Sequence, residues 1–317
     1  MLDSNEARIL GIFLPYMKSK REAAISATQR FSHYTSADSA MKMLSNNEVW
    51  LRKSSVMNDF SEIEYGISCL TTAWQSEAGI RFKQLLDSMF PGSPGRIEER
   101  FNQQLPQIRF DTYLACISEH DPSENTFGRL SMWRAYGNIA LVLNPAVFMQ
   151  QTVPALQSYS IPVDYHTPLS FQVAFDAMVG RAQYDSDFLK AQGEVTIWNW
   201  VNFMMSQLAL CTKHKGFSEE REWRIIHTPS PAQSPLISKG VEAIRNVAQP
   251  VVKLKLRNEP GLGVFGLDVA SLVERIIIGP TQYPVAQREA FAMLLENQGV
   301  QNPYDRIWVS DIPLRQQ

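Results

Sequence analysis

The feature that most constrains the fold is Ile139–Leu143, an unbroken run of apolar residues near the middle of the chain. A short apolar run of this kind is typical of a β-strand that is buried on both faces. Such a strand needs a layer of structure on each side of its sheet. Hydrophobic side chains make up 44% of the 317 residues, which is enough to build that core. The sequence therefore predicts a folded α+β protein and excludes general disorder.

The remaining elements follow from periodicity and from turn residues. Strands are predicted at 31–35, 49–51, 112–117, 220–227, 251–256, 273–278 and 306–309. Helices are predicted over most of 1–30, at 129–135 and at 285–295. No segment has the composition of a domain linker. We therefore expect an N-terminal helical segment at 1–30, followed by one α+β domain over 31–317 with helical insertions at about 61–108 and 168–213.

Composition excludes several classes of protein. Thirty basic and 32 acidic side chains give a net charge of −2, so bulk positive charge does not hold this chain to nucleic acid. No apolar run reaches the length of a membrane span, and the short N-terminal run at 9–14 does not resemble a secretory signal. Three widely spaced cysteines fit neither a disulfide framework nor a metal site. They favour reduced core residues and a cytoplasmic location.

The common catalytic motifs are missing from the sequence. There is no Gly-rich phosphate loop, no HExxH, no paired CxxC and no GxSxG. The five histidines are scattered, and no two have the spacing that presents a pair of metal ligands on one helix face. We therefore predict no metal site.

Two polar clusters remain, and each has an ordinary structural explanation beside the functional one. His33 lies between hydroxyl-bearing residues in a strand, where it is either a hydrogen-bonded core histidine or part of a site. In the predicted strand 220–227, a period of two puts Glu220, Glu222 and Arg224 on one face. These charges form either a cross-strand ion-pair ladder or a reactive site. Asn58, in the loop that follows Ser54, is also common turn chemistry.

The ordered set of short motifs resembles a bacterial family known only as a domain of unknown function, often found in defence or mobile loci. The resemblance covers about residues 31 to 315. It is carried by His33-Tyr34-Thr35, Asn58-Asp59 with Glu62, Met132-Trp133-Arg134-Ala135-Tyr136-Gly137, Glu220-Arg221-Glu222-Trp223-Arg224-Ile225-Ile226, Ile278-Gly279-Pro280 and Ser310-Asp311-Ile312-Pro313-Leu314-Arg315.

The order of these motifs also looks like the ADP-ribosyltransferase superfamily, whose members bind NAD in the cleft of a split sheet. This second resemblance implies a split, mostly antiparallel sheet with a substantial helical insertion, and it implies NAD as a substrate. It implies that His33 contacts a ribose of NAD and that Glu222 stabilises the oxocarbenium ion. It further implies that Glu220 deprotonates the acceptor.

The resemblance leaves other roles open. The aromatic ring that stacks on nicotinamide would be Tyr34, Tyr65 or Tyr136. Arg224 would either fix the rotamer of Glu222 or neutralise it. The remaining residues that the resemblance assigns to NAD binding, at the ends of the first and second predicted strands, are Thr35, Ser54 and Asn58.

The function implied is an NAD-dependent ADP-ribosyltransferase acting as an intracellular toxin or antiphage effector. Its acceptor would be a protein or a nucleic acid, and a neutralising or regulatory partner protein would fit that role. The basic residues of 213–215 are either part of the acceptor site or a solvated loop. Two alternatives stay open. One is a sensor module that binds a nucleotide or a partner without turnover, and the other is a hydrolase that cleaves NAD or another nucleotide.

Overall fold

The computed structural model describes residues 3–56, 60–149, 154–229, 233–244 and 246–313, without the side chains of Phe60 and Met149. The chain forms two compact units, and each unit is assembled from separate stretches of sequence. One unit contains 1–22, 53–112 and 162–218, and the other contains 23–52, 113–161 and 219–317. Because most of the first unit is helical and the second contains the main sheet, we call them the helical unit and the sheet unit.

The helical unit consists of packed helices and a short two-stranded parallel ladder. Its N-terminal part holds α1, which is capped by Asp3, and most of α2, which begins at Pro15. The elements are α1 (Ser4–Phe13), α2 (Pro15–Ser26), α4 (Phe60–Gln75), α5 (Glu77–Met89), α6 (Ser93–Phe110), β6 (Asp164–His166), α9 (Pro168–Tyr184), α10 (Ser186–Ala191), α11 (Glu194–Cys211) and β7 (Thr212–His214).

Helices α4 and α11 approach each other closely at Gly66. A Cβ atom built on Gly66 would lie 2.3 Å from the carbonyl oxygen of Ala209, so no larger residue fits without moving a backbone. The two helices bury Ile63, Ile67 and Val201 nearby. The close contact explains why a glycine, which weakens a helix, occupies the interior of α4.

The sheet unit contains the longer strands, with helices that pack on them. Ser36 caps α3 by accepting the backbone N–H of Ser39, and Asn47 ends that helix in a left-handed conformation. The elements are β1 (Arg30–Thr35), α3 (Ala37–Asn46), β2 (Glu48–Lys53), β3 (Tyr113–His120), α7 (Leu130–Tyr136), β4 (Ile139–Leu143), α8 (Ala146–Met149), β5 (Ser158–Pro162), β8 (Glu222–His227), β9 (Ile237–Ile244), β10 (Val247–Lys255), α12 (Val269–Leu272), β11 (Val273–Ile278), α13 (Pro284–Asn297) and β12 (Ile307–Val309).

In the described part of the chain, ten of these strands form one mostly antiparallel sheet. The main order is β12-β11-β4-β1-β3-β2-β10-β9, while β8 pairs with β3 and also with β5. The pair of β11 with β12 is parallel, and the other pairs with a defined register are antiparallel. Strand β3 therefore contacts three neighbours, because β1, β2 and β8 each pair with it over part of its length.

The central strand β4 divides the core of the sheet unit between the two faces of the sheet. Ile139 and Leu141 belong to the larger apolar cluster, together with Phe31 and Trp223. The residue between them, Ala140, belongs to a smaller cluster on the opposite face. That smaller cluster consists of Tyr34, Met132, Trp133, Ala140, Val142 and Ile277. All five residues of β4 are buried, as the apolar run predicted.

The predicted α+β class and the mostly antiparallel sheet are confirmed. Four strands were missed, namely β5, β6, β7 and β9. Strand β9 has an alternation of exposed and half-buried residues and is rich in charged and small residues, so its sequence carries little strand signal. The prediction of one domain with insertions over 31–317 stays a prediction, and both insertions fall in the helical unit.

Replacing Gly66 with alanine tests the close contact of α4 with α11. The added methyl group meets the backbone of Ala209, and we expect the free energy of unfolding to fall by about 1–3 kcal/mol because the helices must separate. Gly180 in α9 is the matched control, because it is exposed and a methyl group added there would have no atom within 4 Å. There alanine should stabilise the protein by about 0.5–1 kcal/mol through helix propensity. Urea denaturation of both variants measures the two values, and equal effects would contradict the close contact.

Candidate functional site

His33 lies where β1 separates from β3. The register of β1 with β3 covers Arg30 to Ser32, whereas the register of β1 with β4 continues to Thr35. Just past the last β1–β3 pair, Nδ1 of His33 lies 2.9 Å from the carbonyl oxygen of Cys116 on β3. Since a carbonyl only accepts, Nδ1 carries the proton. The half-buried imidazole thus joins β1 to β3 where the backbone register between the two strands ends.

Burial sets the charge of His33. It lowers the pKa of the imidazole below its usual value, and the bond to the carbonyl of Cys116 opposes this in part. His33 is therefore neutral at neutral pH, and its role in positioning a ligand stays a prediction.

The register places His33 and Glu222 on opposite faces of the sheet. Ser118 of β3 is directly opposite both Ser32 and Glu222, so these three side chains share one face. His33 follows Ser32 in β1 and pairs with Leu141, so it lies on the other face, with the larger apolar cluster. The structure does not bring the imidazole and the Glu222 carboxylate together. The roles that the resemblance assigns to them stay predictions.

Glu222 and Arg224 form a buried ion pair on β8. Nε of Arg224 lies 2.9 Å from Oε1 of Glu222, and the side chains of Arg224 and Glu222 are 0% and 5% exposed respectively. Alternation along the strand puts them on the same face, as the sequence predicted. The sequence left two roles open for Arg224, and this contact fits both of them. The guanidinium neutralises the Glu222 carboxylate and also fixes its rotamer.

The expectation that Glu220 shares the strand with Glu222 is wrong. Glu220 is the last residue of a 3-10 helix, Lys215–Glu220, and β8 begins only at Glu222. Between them Arg221 adopts a left-handed conformation, with φ of +45°, which breaks the alternation. The two carboxylates of the Glu-x-Glu motif therefore have different surroundings. Glu222 is buried in the sheet, and Glu220 is half-buried at its edge.

Glu220 and Tyr136 are brought together within the sheet unit. The hydroxyl of Tyr136, at the end of α7, donates to Oε1 of Glu220 at 3.0 Å. The backbone of Glu220 is also fixed, because its carbonyl oxygen accepts from the hydroxyl of Ser118 and from Nη1 of Arg129. A carboxylate on an anchored backbone with a phenol beside it is preorganised to stabilise positive charge.

Arg129 holds this corner of the sheet unit together. Its Nη1 donates to the hydroxyl of Ser118 at 2.9 Å and to the carbonyl oxygen of Glu219 at 2.7 Å. Its Nη2 donates to the carbonyl oxygen of Glu119 at 2.9 Å. Its Nε and Nη2 also bond the two carboxylate oxygens of Glu124, at 3.0 and 3.1 Å. One guanidinium thus connects β3, the turn after β3 and the segment that leads into β8.

Glu124 is the acidic partner of this cluster, although it is not among the predicted site residues. Burial raises the pKa of its carboxyl, but Arg129 and Arg221 outweigh that effect and hold the pKa below its usual range. Glu124 also bonds back to the N–H of Asp121, which completes a capping box with the turn that follows β3. An Asp followed three residues later by Glu is a readable sequence signal for this turn.

Tyr34 is a buried residue beside the same cluster. Its ring makes an edge-on contact with Trp133, with ring centroids 4.8 Å apart, and the side chain is only 5% exposed. The hydroxyl has no hydrogen-bond partner that meets standard geometry. Burial raises its pKa to about 12, with Arg129 acting in the opposite direction. Of the three tyrosines considered for nicotinamide, Tyr34 is in the core and Tyr65 belongs to the helical unit, which leaves Tyr136 beside Glu220.

The other predicted cofactor-binding residues are not gathered here. Ser54 belongs to the helical unit, is fully buried, and donates its hydroxyl to the carbonyl oxygen of Arg109 at 3.2 Å. Thr35 is half-buried at the end of β1, where it pairs with Ile139. Asn58 lies outside the described residues. Among the residues that the structure does describe, no group of three or more His, Cys, Asp or Glu side chains is arranged to hold a metal ion.

Comparison with known proteins gives one partial match. The model of a family described as "Protein of unknown function (DUF2971)" matches residues 132–225, from α7 to the middle of β8. The matched segment includes Tyr136, Glu220 and the Glu222–Arg224 pair. No curated protein and no solved structure matches the chain. A domain of unknown function is therefore found in this chain. The resemblance to ADP-ribosyltransferases has no support from these comparisons.

The buried ion pair makes a prediction about stability. Arg224→Met removes the guanidinium from beside the buried Glu222 carboxylate, and we expect the free energy of unfolding to fall by about 3–5 kcal/mol. Adding Glu222→Leu should recover much of that loss, since no uncompensated charge remains. Arg257→Met is the control, because the pair of exposed Arg257 with half-buried Glu259 lies at the surface and should contribute about 1 kcal/mol or less. Chemical denaturation measures all three. A loss for Arg224→Met no greater than for Arg257→Met would contradict the interpretation.

The lowered pKa of His33 makes a prediction about acid sensitivity. The unfolded chain takes up a proton on His33 below about pH 6.5, whereas the folded chain resists it, so stability should fall as the pH drops from about 7 to about 5. In His33→Asn, whose amide can still donate to the carbonyl of Cys116, this fall should be smaller. The exposed His214 provides the control variant, His214→Asn. The free energy of unfolding at several pH values measures the slopes, and an unchanged slope in His33→Asn would contradict the assignment.

Proposed function

We propose that the chain is an NAD-dependent ADP-ribosyltransferase in which Glu220, and not Glu222, is the reacting carboxylate. The observation that carries the proposal is the pair of Tyr136 and Glu220, a half-buried carboxylate held by a phenol on a backbone that Arg129 and Ser118 fix. Cleavage of the bond between nicotinamide and ribose builds positive charge on the sugar. A preorganised carboxylate at that position stabilises the charge by several kcal/mol.

The buried pair of Glu222 and Arg224 has a supporting part in this proposal. Arg224 satisfies the carboxylate of Glu222, so that residue keeps β8 in place on β3 without taking part in the chemistry. Tyr136 orients Glu220 and offers a ring edge for the nicotinamide. Neutral His33 stays a candidate for binding a more distant part of the dinucleotide, on the other face of the sheet.

The biological side of the proposal rests on the sequence resemblance. In this proposal the protein acts as an intracellular toxin or antiphage effector, and its acceptor is a protein or a nucleic acid. A partner protein neutralises or regulates the effector. Cytoplasmic action is consistent with the three cysteines, Cys69, Cys116 and Cys211, none of which forms a disulfide. In the part of the chain that the structure describes, no helix has the length and apolar character needed to cross a bilayer.

A second candidate is a module that binds a nucleotide or a partner protein without turnover. The observation that favours it is that Glu222 is neutralised by Arg224 and lies on the opposite face from His33. The third alternative, a hydrolase of NAD, shares the chemistry of the first and differs in the fate of the ADP-ribose, which goes to water.

The decisive experiment uses NAD carrying a radioactive phosphate on its adenosine side. The purified chain is incubated with it, once with total bacterial protein and once with total RNA as acceptor. We expect nicotinamide release and label retained on one of the two acceptors. Glu220→Gln should lower both rates by about 100-fold or more, because the charge on the reacting carboxylate is lost. Glu219→Gln is the matched control, since its side chain is an exposed neighbour, and its rates should equal those of the wild type.

The outcomes separate the candidates. Nicotinamide release without retained label identifies the hydrolase. Thermal stabilisation by NAD without nicotinamide release identifies the binding module. Glu222→Gln provides the remaining contrast. If it abolishes turnover while the stability is unchanged, the reacting residue is Glu222. If the substitution lowers the free energy of unfolding, Glu222 has the structural role proposed here.

A further inference from the structure

The helical unit contains a second group of side chains with catalytic geometry, separate from the corner around Glu220. On β6, Nε2 of His166 lies 3.0 Å from Oδ2 of Asp164. On its other side, Nδ1 of the same imidazole lies 3.2 Å from the hydroxyl oxygen of Ser170, in the first turn of α9. Carboxylate, imidazole and hydroxyl therefore form one continuous chain of contacts, in the order that activates a serine.

Local structure fixes all three groups. Asp164 and His166 are two apart on β6, so alternation puts them on the same face of the strand. The strand pairs with β7, where His166 is directly opposite His214. Thr167 then caps α9, which brings Ser170 back over the imidazole within four residues. The ring of His166 also packs edge-on against Phe171, with centroids 5.6 Å apart, so its orientation is fixed.

The carboxylate decides which nitrogen carries the proton. An ionised Asp164 only accepts, so Nε2 of His166 donates to it and Nδ1 keeps its lone pair. Nδ1 can then accept the proton of the Ser170 hydroxyl. This is the tautomer that a general base needs, and the nitrogens have exchanged the positions they have in the familiar serine-protease arrangement.

Ser170 also completes the cap of α9, and this second role must be separated from the first. Its hydroxyl oxygen accepts the N–H of Thr167 at 2.9 Å, as the third residue of a capping box does. That bond uses a lone pair and leaves the hydroxyl proton for His166 or for the carbonyl oxygen of Thr167, which lies 3.2 Å away. The capping box of α9 needs only Thr167 and Ser170, so it does not account for the pair of Asp164 and His166.

The surroundings indicate the kind of substrate. Ser170 is half-buried, while Leu169 and Val173 beside it on α9 are 71% and 63% exposed. They offer an open apolar surface for an acyl chain. The N-terminus of α9, a helix of 17 residues, places a positive dipole where a carbonyl oxygen would become negative, while Pro168 has no N–H and the Ser170 N–H is bonded to Oγ1 of Thr167. These features fit a small uncharged ester better than a charged substrate.

We propose that Ser170, His166 and Asp164 form a second catalytic site, which hydrolyses small esters of apolar acids. The oxygen of Ser170 attacks the ester carbonyl carbon while His166 takes the hydroxyl proton. The bond from carbon to the alcohol oxygen breaks, and His166 returns the proton to the leaving alcohol. Water then attacks the acyl-serine with His166 again as base, and the acid and the free serine are released. This proposal is independent of the function proposed for Glu220.

The test uses p-nitrophenyl butyrate as the substrate and a fluorophosphonate as the probe of a reactive serine. We expect release of p-nitrophenol and one phosphonyl group per chain, which peptide mass mapping assigns to Ser170. Ser170→Gln is the key variant, because glutamine at this position preserves the capping box but has no nucleophile. It should lose the label and about 100-fold or more of the rate while its melting temperature stays unchanged.

Two further variants separate chemistry from capping. Asp164→Asn should lower the rate by about tenfold or more and shift its pH dependence, since the tautomer of His166 is no longer fixed. Ser88→Gln, an exposed serine in α5 of the same unit, should change neither rate nor labelling. The proposal is overturned if the wild type hydrolyses the ester no faster than Ser170→Gln, or if the phosphonyl label maps to another residue. Either result shows that Ser170 serves only the cap of α9.

Discussion

The rest of the candidate site depends on the hydrogen bonds that the guanidinium of Arg129 donates. It bonds the carboxylate of Glu124, the hydroxyl of Ser118 and the carbonyl oxygens of Glu119 and Glu219. These groups belong to segments about one hundred residues apart in sequence, and burying so many acceptors without a donor would be costly. With Arg129 in place, the 3-10 helix that contains Glu220 has a fixed end, and β8 begins in a defined register on β3.

Much of the sheet could be predicted from the sequence because its strands have a strong local signal. The apolar run of β4, the helix cap at Ser36 and the left-handed end at Asn47 all follow rules that act within a few residues. Strand β9 could not be predicted in this way. It forms because β10 offers a complete antiparallel partner, from Ile237 to Ile244, and not because its own residues favour a strand.

The candidate site was less predictable, since it depends on which residues meet across the fold. The sequence placed Glu222 and Arg224 on one face of a strand, and in the structure they form an ion pair there. It gave no reason to select Arg129, whose contacts with Glu219 and Glu220 join distant parts of the chain. The signal that it carries for Glu124 is that of a capping box with Asp121, and not that of a functional site. It also placed Glu220 on the strand, because strict alternation assumes extended backbone, and one residue with positive φ is enough to end it.

The left-handed backbone of Arg221 has a consequence for how the neighbouring acids respond to their environment. Carboxylates two residues apart on one extended strand would share a solvent boundary and repel each other, so that protonating one would alter the other. With the chain turned at Arg221, Glu222 has Arg224 as its counter-ion inside the sheet, while Glu220 faces Tyr136 at the margin. A tripeptide that reads as a single acidic motif thus presents its two carboxylates in different surroundings, one inside the sheet and one at its edge.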